Sequence, residues 1–208
     1  MAPILVAGGD PDPKPGDLPT FVFTAAADDL SDLTGMTGTQ PTVEDGVLQF
    51  EGSEALDGDL ILGNRYLVIS IMIPGTLPQS INPVIAGFRA SDTPGWNDHG
   101  PVAAVYIGFN GSFGLVVNGG DDEDVAGNPF ADKWHTLEIW TDTEGVYGLV
   151  DGVHSMSVLG EIPETVVVRL FAWGELACHV AAIGICDYVP NAEGRDAARA
   201  WAQGAIPV

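Results

Sequence analysis

The strongest constraint on the fold is a regular alternation of short apolar segments with turn residues. Each segment has the composition of a strand and is bounded by Gly, Pro, Asn or Asp, and the segments recur roughly every ten residues, as in sandwiches and barrels. The chain has 208 residues with 27 Gly, 15 Pro and 46% hydrophobic residues, which is enough for a full core and many turns. The predicted strands are Phe21–Thr24, Val47–Glu51, Tyr66–Ile73, Pro83–Phe88, Val102–Phe109, Phe113–Val117, Trp134–Thr141, Val146–Val150, Thr165–Phe171 and His179–Cys186.

The clearest single turn is a hairpin at Asp151-Gly152. A two-residue type I′ turn needs positive φ at both central positions, and Asp-Gly is a favoured pair for it. The hairpin therefore joins Val146–Val150 to a strand that follows the turn.

One strand near this hairpin has two contrasting faces. Leu137 and Ile139 alternate with Glu138, so the apolar pair faces a core. The opposite face carries Trp134, Glu138 and Trp140. Two alternatives fit that mixed face, namely a groove or an amphipathic surface beneath a loop.

One helix is predicted, close to the C-terminal end. Asn191 suits the N-cap, Glu193 belongs to the first turn and Gly204 follows the last turn. Arg195 and Arg199 are four residues apart and share one face of this helix. Either they form a solvated face, or they pair with acidic groups of this or a neighbouring subunit.

The two cysteines, Cys178 and Cys186, fall on one predicted strand. At about 3.3 Å per residue they are about 26 Å apart, whereas a disulfide needs Cα atoms within roughly 7 Å. We expect two free, buried thiols, which suits assembly in a reducing cytosol.

The first 20 residues differ in character from the rest. The tract 8–16 is rich in Pro, Gly and Asp and is predicted to be extended and stiff, although a disordered tail fits as well. We expect an N-terminal arm or linker over 1–20 and a single sandwich domain over 21–208. Residues 1–7 lack the basic region of a signal peptide, and no segment approaches the ~20 apolar residues of a membrane span.

The formal net charge of −22 excludes several classes of partner. Seven Lys and Arg residues against 29 Asp and Glu residues cannot form the basic surface that binds phosphates, so neither nucleic acid nor anionic lipid is an expected partner. The acidity fits high solubility, or a supply of carboxylates for divalent cations.

Several motifs resemble those of a known superfamily. Asp132–Trp140, then Val146–Val150 and the Asp151-Gly152 turn, resemble the laminin G-like and concanavalin A-like lectin/glucanase superfamily, in which Trp-His opens a strand and Asp-Gly turns a later one. Cys178–Cys186 and Val189–Ala202 resemble its late strand and the terminal helix of members from phage virion and bacterial surface proteins. The resemblance implies an antiparallel jelly-roll β-sandwich with a short C-terminal helix.

Catalytic patterns are missing from the sequence. Glucan-cleaving members carry alternating Glu, Asp and Glu on one strand, so that two carboxylates flank the scissile bond. Here Glu138 is followed by Trp140 at the alternate position. Nucleophile elbows, zinc spacings and nucleotide-binding loops are also missing. We therefore expect a protein that is not an enzyme.

Calcium is the one cofactor that the resemblance implies, because sandwiches of this superfamily often bind it in loops at the edge of the sandwich. Asp121, Asp122 and Asp124, in a predicted loop, offer hard oxygen ligands, as do Asp92 and Asp98. The alternative is a solvated, acidic turn.

Glycan binding needs aromatic side chains exposed at a rim. Trp96 lies in a polar, turn-rich segment beside Asn97 and Asp98, whose side chains can hydrogen-bond sugar hydroxyls. Trp173 is the second candidate. The alternative for both tryptophans is burial against the sandwich.

These observations lead to alternative functions. The first is a structural or adhesion module of a phage virion (capsid decoration, tail or fibre), assembled in the host cytoplasm. Its N-terminal arm would contact other virion proteins or further copies of itself in a homo-oligomer, and it could bind a host-surface glycan. The second is a free calcium-dependent lectin, secreted or at the cell surface by a route without a signal peptide. A third is a glycoside hydrolase.

Overall fold

The computed structural model describes residues 17–36, 38–51, 56–62, 65–75, 84–90, 103–107, 113–117, 121–125, 132–160, 165–173 and 177–208. In these residues the chain forms two antiparallel sheets and one α-helix, so the predicted all-β sandwich with a C-terminal helix is confirmed. The elements are β1 (Phe23–Ala26), β2 (Thr42–Glu44), β3 (Val47–Phe50), β4 (Leu56–Leu62), β5 (Arg65–Met72), β6 (Val84–Ala90), β7 (Ala103–Ile107), β8 (Phe113–Val117), β9 (Asp121–Val125), β10 (Trp134–Thr141), β11 (Gly145–Val150), β12 (His154–Leu159), β13 (Thr165–Trp173), β14 (Cys178–Cys186) and α1 (Ala192–Gly204).

The larger sheet has eight strands in the order β12-β11-β10-β5-β14-β3-β2, and β1 also pairs with β14. β5 lies near its centre and is buried along almost its whole length. Its side chains alternate between the core of the sandwich and the outer face beneath α1, which explains why its sequence is an almost continuous apolar run.

The smaller sheet has six strands in the order β4-β13-β6-β7-β8-β9. The strand register defines its two ends. Ala90, Ala103, Val117 and Asp121 lie at one end, here called the Ala90 end. The opposite end, here called the Val84 end, holds Val84, Trp173, Ile107, Phe113 and Val125.

The core lies between the two sheets. It contains the inward-facing residues of β5 and β10 and those of β6 and β8, among them Leu137 and Ile139, so the predicted apolar face is confirmed. Cys178 and Cys186 are buried and free, as predicted. Burial raises the pKa of both thiols, that of Cys186 to about 12, so both are neutral at physiological pH.

Four strands, β2, β4, β9 and β12, had no predicted range, although the Asp151-Gly152 hairpin implied a strand in the place of β12. The most informative is β9, because the acidic run from Asp121 to Asp124 was predicted to be a loop. That prediction is wrong. Acidic residues disfavour strands on average, but β9 is an edge strand that pairs only with β8, and charge is tolerated at sheet edges.

The segment that leads into β1, residues 20–22, packs beside α1. The backbone N–H of Val22 donates to the carbonyl oxygen of Ile185 at 2.8 Å, and that of Thr20 donates to Tyr188 Oη at 3.2 Å. The ring of Phe21 lies 4.8 Å from that of Trp201 and directly over Gly184. The entry segment and α1 therefore pack together on the outer face of the eight-stranded sheet. In the part of the chain described above, no helix is long and apolar enough to cross a membrane.

We predict that Gly184→Ala destabilises the domain by about 1–3 kcal/mol, the usual effect of overpacking. A Cβ at position 184 would lie 2.6 Å from Phe21 Cε1, so the ring would have to move away from Trp201. Urea unfolding followed by tryptophan fluorescence measures the loss.

Gly204→Ala is the matched control, because a Cβ there meets nothing within 4 Å. It should leave stability unchanged, or raise it by up to about 1 kcal/mol through helix propensity. Equal stability of the two variants would contradict the packing described for Phe21.

Candidate functional site

The Asp151-Gly152 turn has the predicted positive φ angles, but the hairpin connection is three residues long rather than two, because Val150 pairs with His154. Asp151 has a φ of 54° and Gly152 a φ of 70°, and the N–H of Val153 donates to the carbonyl oxygen of Val150 at 3.1 Å. Both central residues are therefore left-handed, as the type I′ turn requires.

The Asp151 side chain fastens this turn to β10. Its carboxylate contacts His135 Nδ1 at 2.7 Å and accepts the N–H of Thr136 at 2.9 Å. Burial by itself would raise the pKa of Asp151, but the hydrogen bonds from His135 and Thr136 outweigh it and hold the pKa below its usual value. His135 is only 6% exposed and its ring meets Phe113 edge-on, so His135 belongs to the core, whereas the Asp151 side chain is 36% exposed at the edge of the core.

A buried carboxylate, Glu138, lies on the outer face of β10. It is 1% exposed, accepts the hydroxyl of Tyr66 at 2.8 Å and forms a 2.6 Å ion pair with Arg199 of α1. Burial raises the pKa of Glu138, while Tyr66 and Arg199 act in the opposite direction. Arg199 also pairs with Asp196.

The guanidinium of Arg199 also lies against the hairpin. A Cβ on Gly152 would come within 2.8 Å of Arg199 Cζ, so this position needs glycine both for its positive φ and for the close approach of α1. The turn, the buried carboxylate and the helix thus form one connected network.

The mixed face of β10 is therefore covered by α1. Neither predicted alternative is right, because this face is not a groove and the element that covers it is a helix rather than a loop. The predicted pairing of the helix arginines with acidic groups is confirmed for Arg199. Arg195 instead lies over the ring of Trp140 at 4.4 Å, a cation–π contact.

These buried groups do not form a catalytic arrangement. Both oxygens of Glu138 are engaged and the side chain is shielded from solvent, so no substrate can reach it. The Asp151 carboxylate is likewise occupied by His135 and Thr136. Within the described ranges, no three His, Cys, Asp or Glu side chains are grouped to hold a metal ion.

Trp96, Asn97 and Asp98, which were predicted to bind glycan, lie outside the described residues, in the connection between Ala90 of β6 and Ala103 of β7. Trp173, the other candidate, is the last residue of β13 and pairs with Val84 at the Val84 end. A glycan site at these residues therefore stays a prediction.

Asp121, the first of the predicted calcium ligands, lies at the Ala90 end of the six-stranded sheet. Asp121 opens β9 opposite Val117 of β8, which in turn pairs with Ala103 of β7. Two strand spacings of about 4.8 Å place the Asp121 and Ala103 backbones about 10 Å apart. Because residues alternate between faces along a strand, Asp122 and Asp124 share one face of β9 and Asp121 belongs to the other. The sequence could not show this juxtaposition, because it depends on the pairing of β7, β8 and β9.

We predict that Arg199→Met destabilises the protein by about 3 kcal/mol, because it leaves the Glu138 carboxylate buried without its cation. The double variant Glu138→Gln/Arg199→Met should recover part of this loss. Urea unfolding of the two single variants and the double variant gives the coupling energy.

Arg195→Met is the matched control, since it removes a cation–π contact worth about 1 kcal/mol and leaves the ion pair intact. A cost for Arg199→Met no larger than that of Arg195→Met would show that the ion pair does not hold α1 in place.

We predict that Asp151→Asn destabilises the protein at neutral pH and that its difference from the wild type shrinks on acidification. A carboxyl whose folded pKa is depressed contributes stability above its unfolded pKa of about 3.9, and that contribution is lost as the pH falls through the folded value. Unfolding curves from pH 7 downwards test this, and a difference that stays constant below about pH 4 would contradict it.

Comparisons with known proteins bear on the fold. No protein-family model matches the sequence, and no curated protein matches it either. Among solved structures, a Trypanosoma rangeli sialidase matches 81% of this chain with a TM-score of 0.62 and 11% identity, over 29% of its own length. The chain thus spans less than a third of that enzyme.

Two lectin structures match over most of both chains. The Emp46p carbohydrate recognition domain covers 77% of this chain and 91% of its own, with a TM-score of 0.53 and 11% identity. The VIP36 exoplasmic/lumenal domain in its Ca2+/Man3GlcNAc-bound form covers 76% and 85%, with a TM-score of 0.53 and 9% identity. At these identities the likeness concerns the fold alone, which is the antiparallel β-sandwich that the sequence motifs imply.

Proposed function

We propose that this protein is a non-catalytic, glycan-binding adhesion module whose recognition surface is the Ala90 end of the six-stranded sheet. This surface, called the rim below, comprises the 91–102 connection and the start of β9 at Asp121. The observation that supports it is the strand register, in which Ala90 and Ala103, the described residues that flank this connection, lie at the same end of the sheet as Asp121.

The residue types at the rim suit a sugar ligand. Trp96 offers a ring on which a pyranose can stack, and Asn97 and Asp98 offer groups that hydrogen-bond its hydroxyls. In this proposal Asp121, the β9 residue nearest the connection, is the calcium ligand at the rim, while Asp122 and Asp124 belong to the other face of β9 and do not share the ion. The shared fold with a domain solved in a Ca2+/Man3GlcNAc-bound form supports the same chemistry.

Hydrolysis is the weaker alternative, although a sialidase shares the fold. Glycosidases in general need two carboxyl groups facing the scissile bond. Among the described residues, Glu138 is sealed beneath α1 and Asp151 is held by His135 and Thr136, so neither faces a groove. The non-catalytic proposal therefore fits the groups whose surroundings are known.

We predict that a glycan array detects binding by the full chain and that Trp96→Ala weakens it at least tenfold, equivalent to about 1.4 kcal/mol. Removal of calcium with a chelator should weaken it as well, because the ion orders the rim. Trp173→Ala is the control at the Val84 end and should bind like the wild type. The proposal would be contradicted if the protein bound no glycan, or if Trp96→Ala bound as tightly as the wild type.

We also propose that the N-terminal arm attaches the domain to a larger assembly, as in a phage virion protein that contacts other virion proteins or further copies of itself. A specific observation favours this. Phe21 and Thr20 are anchored against Trp201 and Tyr188 on the outer face of the eight-stranded sheet. The arm thus leaves from the face opposite the six-stranded sheet, and an attached domain would keep its rim accessible.

We predict that deletion of residues 1–16 abolishes assembly or particle attachment without unfolding the domain, because Thr20, Phe21 and Val22 keep their contacts. Size-exclusion chromatography with light scattering and co-sedimentation with particles report assembly, and thermal unfolding reports the fold. Unchanged assembly of the truncated protein would refute the role of the arm.

A further inference from the structure

Two hairpin turns of the eight-stranded sheet contain the same three residues, Asp-Gly-Val. Asp45-Gly46 joins β2 to β3, and Asp151-Gly152 lies between β11 and β12. The backbones also agree, since φ is 51° and 76° in the first turn and 54° and 70° in the second. A difference in reactivity between the two turns would therefore come mainly from their surroundings.

The Asp45-Gly46 turn is open to solvent. Both residues are exposed, and a Cβ on Gly46 would meet nothing within 4 Å. Among the residues that the structure describes, none forms a hydrogen bond or an ion pair with the Asp45 carboxylate. The side chain of Asp45 is thus free to turn towards the backbone of its own peptide group.

The Asp151-Gly152 turn is held from two sides. The Asp151 carboxylate contacts His135 Nδ1 at 2.7 Å and accepts the N–H of Thr136 at 2.9 Å. The Arg199 side chain lies against Gly152, where a Cβ would come within 2.8 Å of Arg199 Cζ. The Asp151 carboxylate cannot turn towards the Gly152 nitrogen without breaking both of its contacts.

The two hairpins also differ in how firmly they are paired. β2 has only three residues, all of them exposed, and within the described part of the sheet it pairs with β3 alone. β11 and β12 have six residues each, and β11 pairs with β10 as well. Local opening of a short, exposed edge strand costs less free energy than opening of a longer hairpin that is paired to the rest of its sheet.

We propose that Asp45-Gly46 is a site of spontaneous isoaspartate formation, and that the contacts of Asp151 protect the Asp151-Gly152 turn from the same reaction. The contrast between the two turns carries the proposal, because the residues and the backbone angles agree while the side-chain contacts differ. The proposal depends neither on the rim nor on the N-terminal arm.

The reaction needs no partner other than water. The backbone nitrogen of Gly46 attacks Cγ of the protonated Asp45 carboxyl, a C–N bond forms, and the carboxyl hydroxyl leaves as water with the proton of the attacking N–H. Water then opens the succinimide ring at either carbonyl. Opening at the main-chain carbonyl of Asp45 leaves the chain linked through the side chain, as isoaspartate. Glycine favours the attack because it has no Cβ beside its nitrogen.

The protonation state of the carboxyl acts in the same direction. Burial by itself would raise the pKa of Asp151, but the hydrogen bonds from His135 and Thr136 outweigh it and keep the pKa below its usual value. An ionised carboxylate is a poor target for the nitrogen, since it has no hydroxyl to lose as water. Asp151 is therefore the less reactive of the two residues for this reason as well.

An isoaspartate at position 45 would release β2 but leave the core intact. The new link passes through Cβ and Cγ and so lengthens the backbone of a two-residue turn by one atom. Glu44 and Val47 would then no longer face each other as the type I′ turn requires. β3 keeps its pairing with β14, and Leu48 of β3 stays in the core between the sheets.

The test is to store the full chain for several weeks in mildly acidic buffer, both folded and in urea, and then to map its peptides. Electron-transfer fragmentation distinguishes isoaspartate from aspartate, which has the same mass, and reports Asp45, Asp151 and the further Asp-Gly pair at Asp57 separately. In the folded protein isoaspartate should accumulate at Asp45 at least about tenfold faster than at Asp151, and in urea the two rates should agree within about threefold.

Two variants complete the test. Asp45→Glu has a longer side chain that closes the ring far more slowly, so the product at this position should disappear. His135→Leu removes one partner of the Asp151 carboxylate, so isoaspartate at Asp151 should rise severalfold while the rate at Asp45 stays unchanged. Thermal unfolding confirms that both variants are folded.

The proposal is overturned if the folded protein forms no isoaspartate at Asp45, or if Asp45 and Asp151 react at the same rate when folded. An unchanged rate at Asp151 in His135→Leu would contradict the protective role of that contact. Hydrogen exchange of the isomerised protein should become faster at Glu44 and stay slow at Leu67 of β5, and slow exchange at both would contradict the release of β2.

Discussion

The ion pair between Glu138 and Arg199 is the contact on which the outer half of this molecule depends. A carboxylate that is 1% exposed on the face of a β-sheet is costly unless a cation neutralises it, and α1 supplies that cation. The same guanidinium lies against Gly152, so the helix, the central strands and the hairpin are joined at one point. Removing one member leaves the others buried without their partners.

The proposed function gives the two sheets different roles. The eight-stranded sheet is closed on its outer face by α1 and by the entry segment around Phe21, whose ring fills the space above Gly184. The six-stranded sheet carries the connections that hold the sugar-directed residues, and its Ala90 end brings Asp121 close to the start of β7. The proposed attachment side and the proposed recognition side follow this division.

Much of this architecture could be predicted from local sequence. The regular spacing of short strands predicted the sandwich, and the Asp-Gly pair predicted the turn. Asn191 was correctly predicted as the N-cap, since its side chain accepts the N–H of Gly194 at 2.8 Å. The spacing of Arg195 and Arg199 predicted a shared helix face that was either solvated or paired with acidic groups, and Arg199 takes the second alternative. Local signals could not show that α1 covers Glu138, or that an acidic run pairs as edge strand β9. Those features, like the approach of Asp121 to the start of β7, arise from long-range pairing and register.

The most direct test of the central claim, that the Trp96 connection and the acidic strand form one rim, is sensitised terbium luminescence. Tb³⁺ replaces Ca²⁺ at oxygen-rich sites and emits when a nearby tryptophan is excited. Tryptophan-excited emission should appear with the wild type and with Trp173→Phe, and should disappear with Trp96→Phe and with Asp121→Asn. Absence of sensitised emission from the wild type, or its loss in Trp173→Phe with retention in Trp96→Phe, would contradict a rim at the Ala90 end.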